Sequence, residues 1–277
     1  AERRDREDRG PGAGAAGGDR QDHWRDQSMR GEQEINCLTR VKQNLGRNSV
    51  HYFCSDPQKI IRILKSARPN PAQSNFPDFL FENGFIEHFQ ITASRETRKG
   101  AEHRQRQAQF CKEAEQRFQR MGRELNDAPP ANSLTREICE MEAPPYSYEM
   151  YEASFRKNWQ HHINSLQKYI GCRDVGIFLV EYQGPLFKTM QYGRFTGFYH
   201  LHQDAPMLRY TAAYQDMLSY VIFTDGQNCE VIELELIPVL LEQVPCDIRF
   251  EPGRWKEHHI NLAIDMTIDG SEQEALT

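Results

Sequence analysis

The side chains best suited to metal chemistry are grouped around a predicted β-hairpin. Asp78 precedes an Asn-Gly pair at positions 83–84, and Glu87, His88 and Gln90 follow that pair. An Asn-Gly pair between two apolar runs is the strongest short-range signal for a hairpin. The pattern therefore predicts two antiparallel strands that bring Asp78 close to the polar residues of the second strand.

Such a group of side chains is typical of metal-dependent hydrolysis of phosphate esters. Carboxylate oxygens suit Mg²⁺, and a bound divalent ion polarises the scissile phosphate and lowers the pKa of the attacking water. A neighbouring lysine or hydrogen-bond donor stabilises the charge that develops during the reaction. Ligands of one ion must share a face of the sheet, so the register of the hairpin decides which residues cooperate.

The sequence leaves two hairpin registers open. With a two-residue loop at positions 83–84, Asp78 pairs opposite Phe89 and shares a face with Glu87. That register creates a pair of carboxylates on one face of the sheet. The second strand then has an apolar residue, Phe89, at the position two residues after Glu87.

We favour the second register, which has a three-residue loop with a bulge at Gly84. Asp78 then lies opposite His88, and Gln90 lies on the same face. This pairing matches apolar residues with apolar residues and polar residues with polar ones. Its cost is that Glu87 points toward the apolar side, where a buried carboxylate needs a partner.

The hairpin, with its opening Pro-Asp pair at positions 77–78, resembles the metal-binding hairpin of the PD-(D/E)xK nuclease superfamily, the fold of many restriction enzymes. Helix, strand, hairpin, helix and buried strand, as predicted over residues 32–182, is also the order of that superfamily's shared core. The resemblance implies an α/β fold with a restriction-endonuclease-like mixed sheet flanked by helices. A C-terminal α+β extension would pack on this core.

The resemblance also implies roles for three hairpin residues. Asp78 takes the position of the metal-binding aspartate, His88 that of the second acid, and Gln90 that of the lysine. The implied cofactor is Mg²⁺ or Mn²⁺, although an imidazole ligand favours Mn²⁺ or Zn²⁺ over Mg²⁺. The implied function is a divergent metal-dependent nuclease that hydrolyses DNA or RNA. The alternative is a catalytically inactive nuclease-like module that binds nucleic acid or a protein partner.

Three further residues are candidates for the same site. Glu34, in the first predicted helix, is a candidate metal ligand, because members of this superfamily often add a helix carboxylate to the metal site. Glu87 is a candidate for completing the set of acidic groups around the metal. Lys99 lies shortly after the hairpin and is a candidate replacement for the missing strand lysine.

A basic segment directly follows the hairpin. Residues 94–125 contain nine basic and five acidic side chains, which leaves a local net charge of +4 in a chain whose formal charge is -6. Phosphate contacts need such a basic surface beside the metal site. The alternative is a solvated amphipathic helix. The predicted nucleic-acid-binding residues are Ser94, Arg95, Arg98, Lys99 and Arg104.

The hydrophobic periodicity and the capping residues predict the main elements. The predicted helices cover residues 32–45, 56–68, 97–125 and 148–169, and a further helix begins at Asp204. The predicted strands outside the hairpin cover residues 49–54, 174–182, 220–224 and 230–236. The strand at 174–182 is almost continuously apolar, which is typical of a central strand covered on both faces.

The composition indicates three segments. Residues 1–31 are rich in charge and glycine and are predicted to be a disordered tail. Residues 32–182 form the predicted core, and residues 183–277 form the extension. Within the tail, Met29 is an alternative start, with the upstream residues then a translated leader.

The composition also limits the classes of function and location. No run of about 18 apolar residues is present, so no membrane segment is expected. The seven cysteines include no Cys-x-x-Cys pair, which favours buried thiols in a reducing cytoplasm over a zinc ribbon or a disulfide scaffold.

A second group of metal-binding residue types occurs at His200, His202 and Asp204. On a strand these alternating residues would share a face, as in a metallohydrolase. The sequence shows no further clusters of the kind that usually complete such a site. We therefore interpret Asp204 as the residue that begins a helix.

Overall fold

The computed structural model describes residues 19–72, 76–97, 100–126, 133–142, 145–253 and 259–268. The helices are α1 (Asp19–Asn44), α2 (Pro57–Ser66), α3 (Glu102–Asn126), α4 (Tyr148–Lys168), α5 (Ala205–Ala212) and α6 (Ile237–Gln243). The strands are β1 (Val50–Phe53), β2 (Arg68–Pro69), β3 (Phe79–Phe81), β4 (Gly84–Ile91), β5 (Glu96–Thr97), β6 (Gly100–Ala101), β7 (Ser133–Glu142), β8 (Val175–Tyr182), β9 (Phe187–Gln191), β10 (Arg194–Phe198), β11 (Tyr220–Thr224), β12 (Cys229–Glu233), β13 (Ile248–Pro252) and β14 (His259–Ile268).

A mixed seven-stranded sheet forms the centre of this α/β protein, with the strand order β1-β12-β11-β8-β4-β3-β2. Strand β8 is parallel to both of its neighbours, β4 and β11. Its residues are buried alternately in two cores: Phe178 and Val180 face helix α4, whereas Ile177 and Leu179 face helices α1 and α2. Coverage on both faces explains why this strand is apolar almost throughout.

Local signals account for several helix starts. The Asp56 side chain accepts a hydrogen bond from the backbone of Lys59 at the start of α2, and Ser147 caps α4 in the same way. Asp204 accepts from the backbone N–H of Met207, which confirms the predicted helix start. These caps satisfy backbone donors that an uncapped helix end leaves without partners.

The hairpin register differs from both predicted registers. Phe81 pairs with Gly84, so the two-residue loop consists of residues 82–83, and Phe79 pairs with Ile86. Gly84 is the first residue of β4, where a Cβ atom would collide with the backbone carbonyl of Val175. The close approach of β8 therefore needs glycine inside the strand, and the turn forms one residue earlier.

The segments differ from the predicted division in two respects. Helix α1 begins at Asp19, so residues 19–31 of the expected disordered tail are helical. Strands β11 and β12, which follow the expected boundary at residue 183, lie inside the central sheet between β1 and β8. The boundary therefore does not separate a core sheet from an added unit. Strands β9, β10 and β13 form a separate three-stranded sheet within residues 183–277.

Two other elements have boundaries that differ from the predicted ones. The predicted strand at 230–236 ends at Glu233, and residues Leu234–Leu236 form a 3-10 turn. Helix α3 begins at Glu102 rather than at residue 97, because strands β5 and β6 pair just before it. Within the described residues, every helix is too short or too polar to cross a lipid bilayer.

Candidate functional site

Asp78 and Glu87 form a carboxylate pair at the β3–β4 hairpin. Asp78 lies directly before β3, and the observed register places it beside Glu87 on β4. The backbone N–H of Asp78 donates to Oε2 of Glu87 at 3.0 Å. The backbone N–H of His88 donates to Oδ2 of Asp78 at 2.8 Å. His88 thus contacts Asp78 through its main chain, while Glu87 supplies the neighbouring carboxylate.

Glu87 faces helix α4, on the same side of the sheet as Phe85 and Phe89. Its Oε1 lies 2.6 Å from Nδ1 of His162, a residue of α4. The His162 ring stacks on Phe89 with a centroid separation of 4.6 Å and an interplanar angle of 12°. The partner that the sequence required for an inward-facing Glu87 is therefore His162.

The electrostatics of the carboxylate pair favour cations. Burial, and then repulsion by Glu87, raises the pKa of Asp78 to about 6. Burial raises the pKa of Glu87 to about 8, and the nearby charge of Glu34 adds to the shift. Burial lowers the pKa of His162 to about 4. At pH 7 Asp78 is then mainly ionised and Glu87 mainly protonated, so a divalent ion that binds both carboxylates would displace the Glu87 proton.

His88 and Gln90 point to the opposite face of β4, where they contact Glu181 of β8. Nε2 of His88 lies 3.2 Å from Oε2 of Glu181, and Nε2 of Gln90 donates to the same oxygen at 2.7 Å. Arg40 of α1 forms an ion pair with Oε1 of Glu181. Arg104 donates to Oε1 of Gln90 at 2.8 Å and so joins the same group. We refer to these five residues as the Glu181 network.

The carboxylate of Glu181 is held in its ionised form. Burial alone would raise its pKa, but hydrogen bonds from His88 and Gln90 and the charges of His88 and Arg40 outweigh burial and lower the pKa to about 2. Paired and hydrogen-bonded in this way, a buried charge is compatible with a stable fold. The network therefore joins β4, β8 and α1.

A second set of buried residues, which includes His88, has ligand atoms close enough together to bind one metal ion. Ligand atoms of Cys37, His88 and Glu181 lie within 4.8 Å of one another. Burial raises the pKa of the Cys37 thiol, which disfavours the thiolate that a metal ion requires. The Glu181 oxygens are already occupied by three donors. This group fits a structural network better than a metal centre.

Two candidate metal or catalytic residues from the sequence remain, Glu34 and Lys99. Glu34 of α1 is partly exposed, and its charge adds to the raised pKa of Glu87. Within the described residues, Glu34 does not join Asp78 and Glu87 in a group whose ligand atoms all lie within 4.8 Å of one another. Lys99, together with Arg98, lies outside the described residues.

Among the predicted nucleic-acid-binding residues that the structure describes, Ser94 and Arg104 have their side chains engaged inside the protein, and Arg95 does not. Ser94 is only 3% exposed, and its Oγ lies 2.7 Å from Nδ1 of His103. Arg104 belongs to the Glu181 network. Arg95 is exposed. A phosphate at the surface would therefore reach Arg95 without a rearrangement, whereas Ser94 would have to leave its buried hydrogen bonds.

Sequence reasoning missed the parts played by His162 and Glu181. A signal for Glu181 does exist, because an acid within the buried apolar run of β8 must have a partner. His162 is one helical step from Trp159 on the buried face of α4, so the helical period places it toward the sheet. The identity of its partner, 75 positions away, has no local signal.

Comparisons with protein-family models, with curated protein sequences and with solved structures give no match to this chain.

Proposed function

We propose that this protein is a divalent-metal-dependent nuclease that hydrolyses phosphodiester bonds of DNA or RNA. Asp78 and Glu87 would hold Mg²⁺ or Mn²⁺, and the nearby charge of Glu34 would add to the negative potential at the ion. The observation that carries the proposal is that Asp78 and Glu87 lie side by side at the hairpin, where the backbone N–H of Asp78 donates to the Glu87 carboxylate and the pKa values of both carboxyl groups are raised. Oxygen ligands of this kind suit Mg²⁺ and Mn²⁺.

The arrangement of elements around the pair supports the same proposal. Along the chain, helix α2 is followed by the antiparallel strands β2, β3 and β4. After β5, β6, α3 and β7 come helix α4 and strand β8, which pairs in parallel with β4. Apart from these four intervening elements, this is the order that the resemblance to the PD-(D/E)xK superfamily implies. The acidic pair occupies the hairpin within that order, where the superfamily carries its metal ligands.

His162 takes over the role of the missing lysine in this proposal. The observed register makes Glu87 the second acid, so Phe89 occupies the position of the lysine. His162 stacks on Phe89 and contacts Glu87, and its lowered pKa keeps the imidazole neutral near pH 7. A neutral imidazole can accept a proton from the attacking water. A bound metal ion would lower the pKa of that water and polarise the phosphate.

His88 and Gln90 have supporting parts in this proposal. His88 holds Asp78 through its backbone N–H, and the side chains of His88 and Gln90 maintain the Glu181 network behind the hairpin. Neither side chain points to the same face as Glu87, so neither would contact an ion shared by Asp78 and Glu87.

The first experiment is nicking of supercoiled plasmid by the purified protein with Mg²⁺ or Mn²⁺. We expect cleavage that depends on the metal and is abolished by Asp78→Asn and by Glu87→Gln. Asp216→Asn, at an exposed position in a turn after α5, is the matched control and should cleave normally. Equal cleavage by Asp78→Asn and the unchanged protein would refute the proposed site.

The second candidate is a catalytically inactive module that binds nucleic acid. It is favoured by two observations: the cations Arg40 and Arg104 are bound within the Glu181 network, and Phe89 takes the position of the lysine. The same preparation should be tested by electrophoretic mobility shift with DNA and with RNA. Binding that loses affinity steeply with salt, without cleavage in either metal, would favour this candidate.

A further inference from the structure

A histidine cluster lies at the opposite edge of the central sheet from the β2 and β3 strands. Its centre is Glu230 of β12, a carboxylate with only 1% exposure. Oε1 of Glu230 accepts from Nδ1 of His200 at 3.1 Å and from the backbone N–H of Leu201 at 2.9 Å. Oε2 accepts from Nδ1 of His202 at 2.6 Å and from the backbone N–H of His202 at 2.9 Å.

These contacts define the chemistry of the two imidazoles. A carboxylate accepts hydrogen bonds, so Nδ1 of His200 and Nδ1 of His202 each carry the hydrogen that is donated to Glu230. In the neutral tautomer the Nε2 atom then has a free lone pair. Histidines that bind metal ions are usually oriented by a carboxylate in this way. Since both Glu230 oxygens already accept two hydrogen bonds each, Glu230 orients ligands rather than acting as one.

A third imidazole stands beside the first two. His51 of β1 is the direct partner of Glu230 in the parallel β1–β12 ladder, so their side chains share a face. The ring centroid of His51 is 5.6 Å from that of His200 and 6.5 Å from that of His202, and the last two are 5.2 Å apart. Imidazoles around one tetrahedral Zn²⁺ ion, with Zn–N bonds of about 2 Å, have ring centres about 5 Å apart, so His200 and His202 already have this spacing and the His51 ring would move closer on binding. At this cluster the ligand atoms that lie within 4.8 Å of one another are those of His200, His202 and Glu230.

The surroundings suit a small ion that arrives from solvent. The side chains of His200 and His202 are 24% and 25% exposed, whereas Glu230 behind them is buried. Phe53 stacks on His202 at a centroid separation of 4.4 Å and restricts its ring. The site therefore has an open side toward solvent and a rigid back formed by the sheet.

We propose that His51, His200 and His202 bind a divalent transition-metal ion, with Zn²⁺ as the representative case, and that Glu230 holds the two latter imidazoles in position. Nitrogen ligands select Zn²⁺, Cu²⁺ or Ni²⁺ rather than Mg²⁺. The ion would have three protein ligands and a fourth position open to water. This centre is independent of the carboxylate pair and does not require the proposed nuclease activity.

Equilibrium binding of Zn²⁺ to the chelator-treated full chain tests the proposal. We expect one tightly bound ion per chain. Glu230→Gln alters only the supporting carboxylate and should weaken binding by about 10- to 100-fold. Removal of a ligand should weaken binding further, in each of the variants His51→Ala, His200→Ala and His202→Ala. His161→Ala, which removes an exposed histidine from α4, is the matched control and should leave Zn²⁺ affinity unchanged.

Three results of this experiment would overturn the assignment in whole or in part. Unchanged affinity in His202→Ala would exclude the cluster, and unchanged affinity in His51→Ala would exclude the third ligand. Asp78→Asn should retain Zn²⁺ binding, so loss of the ion in that variant would place the metal at the hairpin instead. Failure of the nuclease assay has no effect on any of these readouts.

The absorption spectrum of the Co²⁺-loaded unmodified protein provides a test that needs no variant. We expect the intense visible bands of a tetrahedral ion, without a thiolate-to-metal charge-transfer band in the near ultraviolet. A thiolate band would overturn the proposal, because it would assign the metal to the group that contains Cys37. Weak bands typical of hexahydrated Co²⁺ would also overturn it.

Discussion

At the scale of single residues, His162 is the side chain on which the proposed chemistry depends most. It joins helix α4 to strand β4 by contacting Glu87 and stacking on Phe89. Both contacts lie on the face of β4 that carries the second carboxylate. Metal affinity is therefore expected to depend on Asp78 and Glu87, whereas proton transfer is expected to depend on His162.

His162→Gln should lower the single-turnover cleavage rate by about 10²- to 10⁴-fold, the usual contribution of a general base. Glutamine retains a donor toward Glu87 but cannot accept a proton from water. Affinity for Mn²⁺, measured by titration calorimetry, should change little. A variant that loses metal affinity and cleavage together would show that His162 only supports Glu87.

Asp204 provides a second residue-scale prediction, which concerns stability. It has 0% exposure and accepts hydrogen bonds from the hydroxyls of Tyr148 and Tyr199, each at 2.8 Å. Burial, although opposed by these hydrogen bonds, raises its pKa from 3.8 to about 6. The folded chain therefore binds this proton more tightly than the unfolded chain does. The contribution of Asp204 to stability is largest below about pH 4 and falls as the pH rises to about 6.

Asp204→Asn keeps the shape of the helix cap but removes this titration. The free energy of unfolding of the unchanged protein, relative to that of the variant, should fall between about pH 4 and about pH 6 and then stay constant. Urea unfolding followed by circular dichroism at several pH values measures the difference. A difference that does not vary with pH would contradict the assigned burial effect.

At the scale of elements, the Glu181 network connects strands β4 and β8 with helix α1. Glu181 comes from the strand in the middle of the sheet, and His88 and Gln90 come from the neighbouring strand that carries the candidate site. Arg40 reaches it from the helix that also contains Glu34. With Arg104 of helix α3, the network therefore stabilises the positions of four elements behind the hairpin.

Glu181→Gln should lower the free energy of unfolding by about 2–3 kcal/mol, because charge-assisted hydrogen bonds are replaced by weaker ones and Arg40 loses its counter-charge. Glu242→Gln, at an exposed position of α6, is the matched control and should change stability by less than about 0.5 kcal/mol. Urea midpoints at neutral pH give both values. Equal midpoints for the two variants would show that the network contributes little.

At the scale of the whole molecule, the central sheet depends on segments far apart in the chain. Strand β8 pairs with β4 on one side and with β11 on the other, and β12 connects β11 to β1. The strands that follow residue 183 thus cover one edge of β8 and support β1. Both candidate sites, the hairpin pair and the histidine cluster, belong to this one sheet.

A chain that ends at residue 182 should fail to fold cooperatively. Removal of β11 and β12 would leave the long edge of β8 unpaired and would expose the buried side chains of both cores. Urea unfolding of the fragment, compared with the full chain, should show no sigmoidal transition. A cooperative transition in the fragment would support an independent core at 32–182.

Much of the fold follows from local patterns in the sequence. Helices α2 and α5 begin at the predicted residues Asp56 and Asp204, and helix α4 begins at the predicted residue 148. Strands β8 and β11 lie where the apolar runs predict them. Periodicity and caps act over a few residues, so they can be recognised in the sequence. The presence of Asp78 near the polar residues of β4 was predictable for the same reason.

The pairings that form the candidate sites depend on the tertiary structure. Contact with Val175 places Gly84 inside β4, and this changes the hairpin register and so the neighbour of Asp78. Glu87 meets His162, and Glu230 meets His51, only because a helix and a strand remote in sequence pack against their strands. Element type depends on short-range forces, whereas a one-residue shift between strands reverses which side chains share a face.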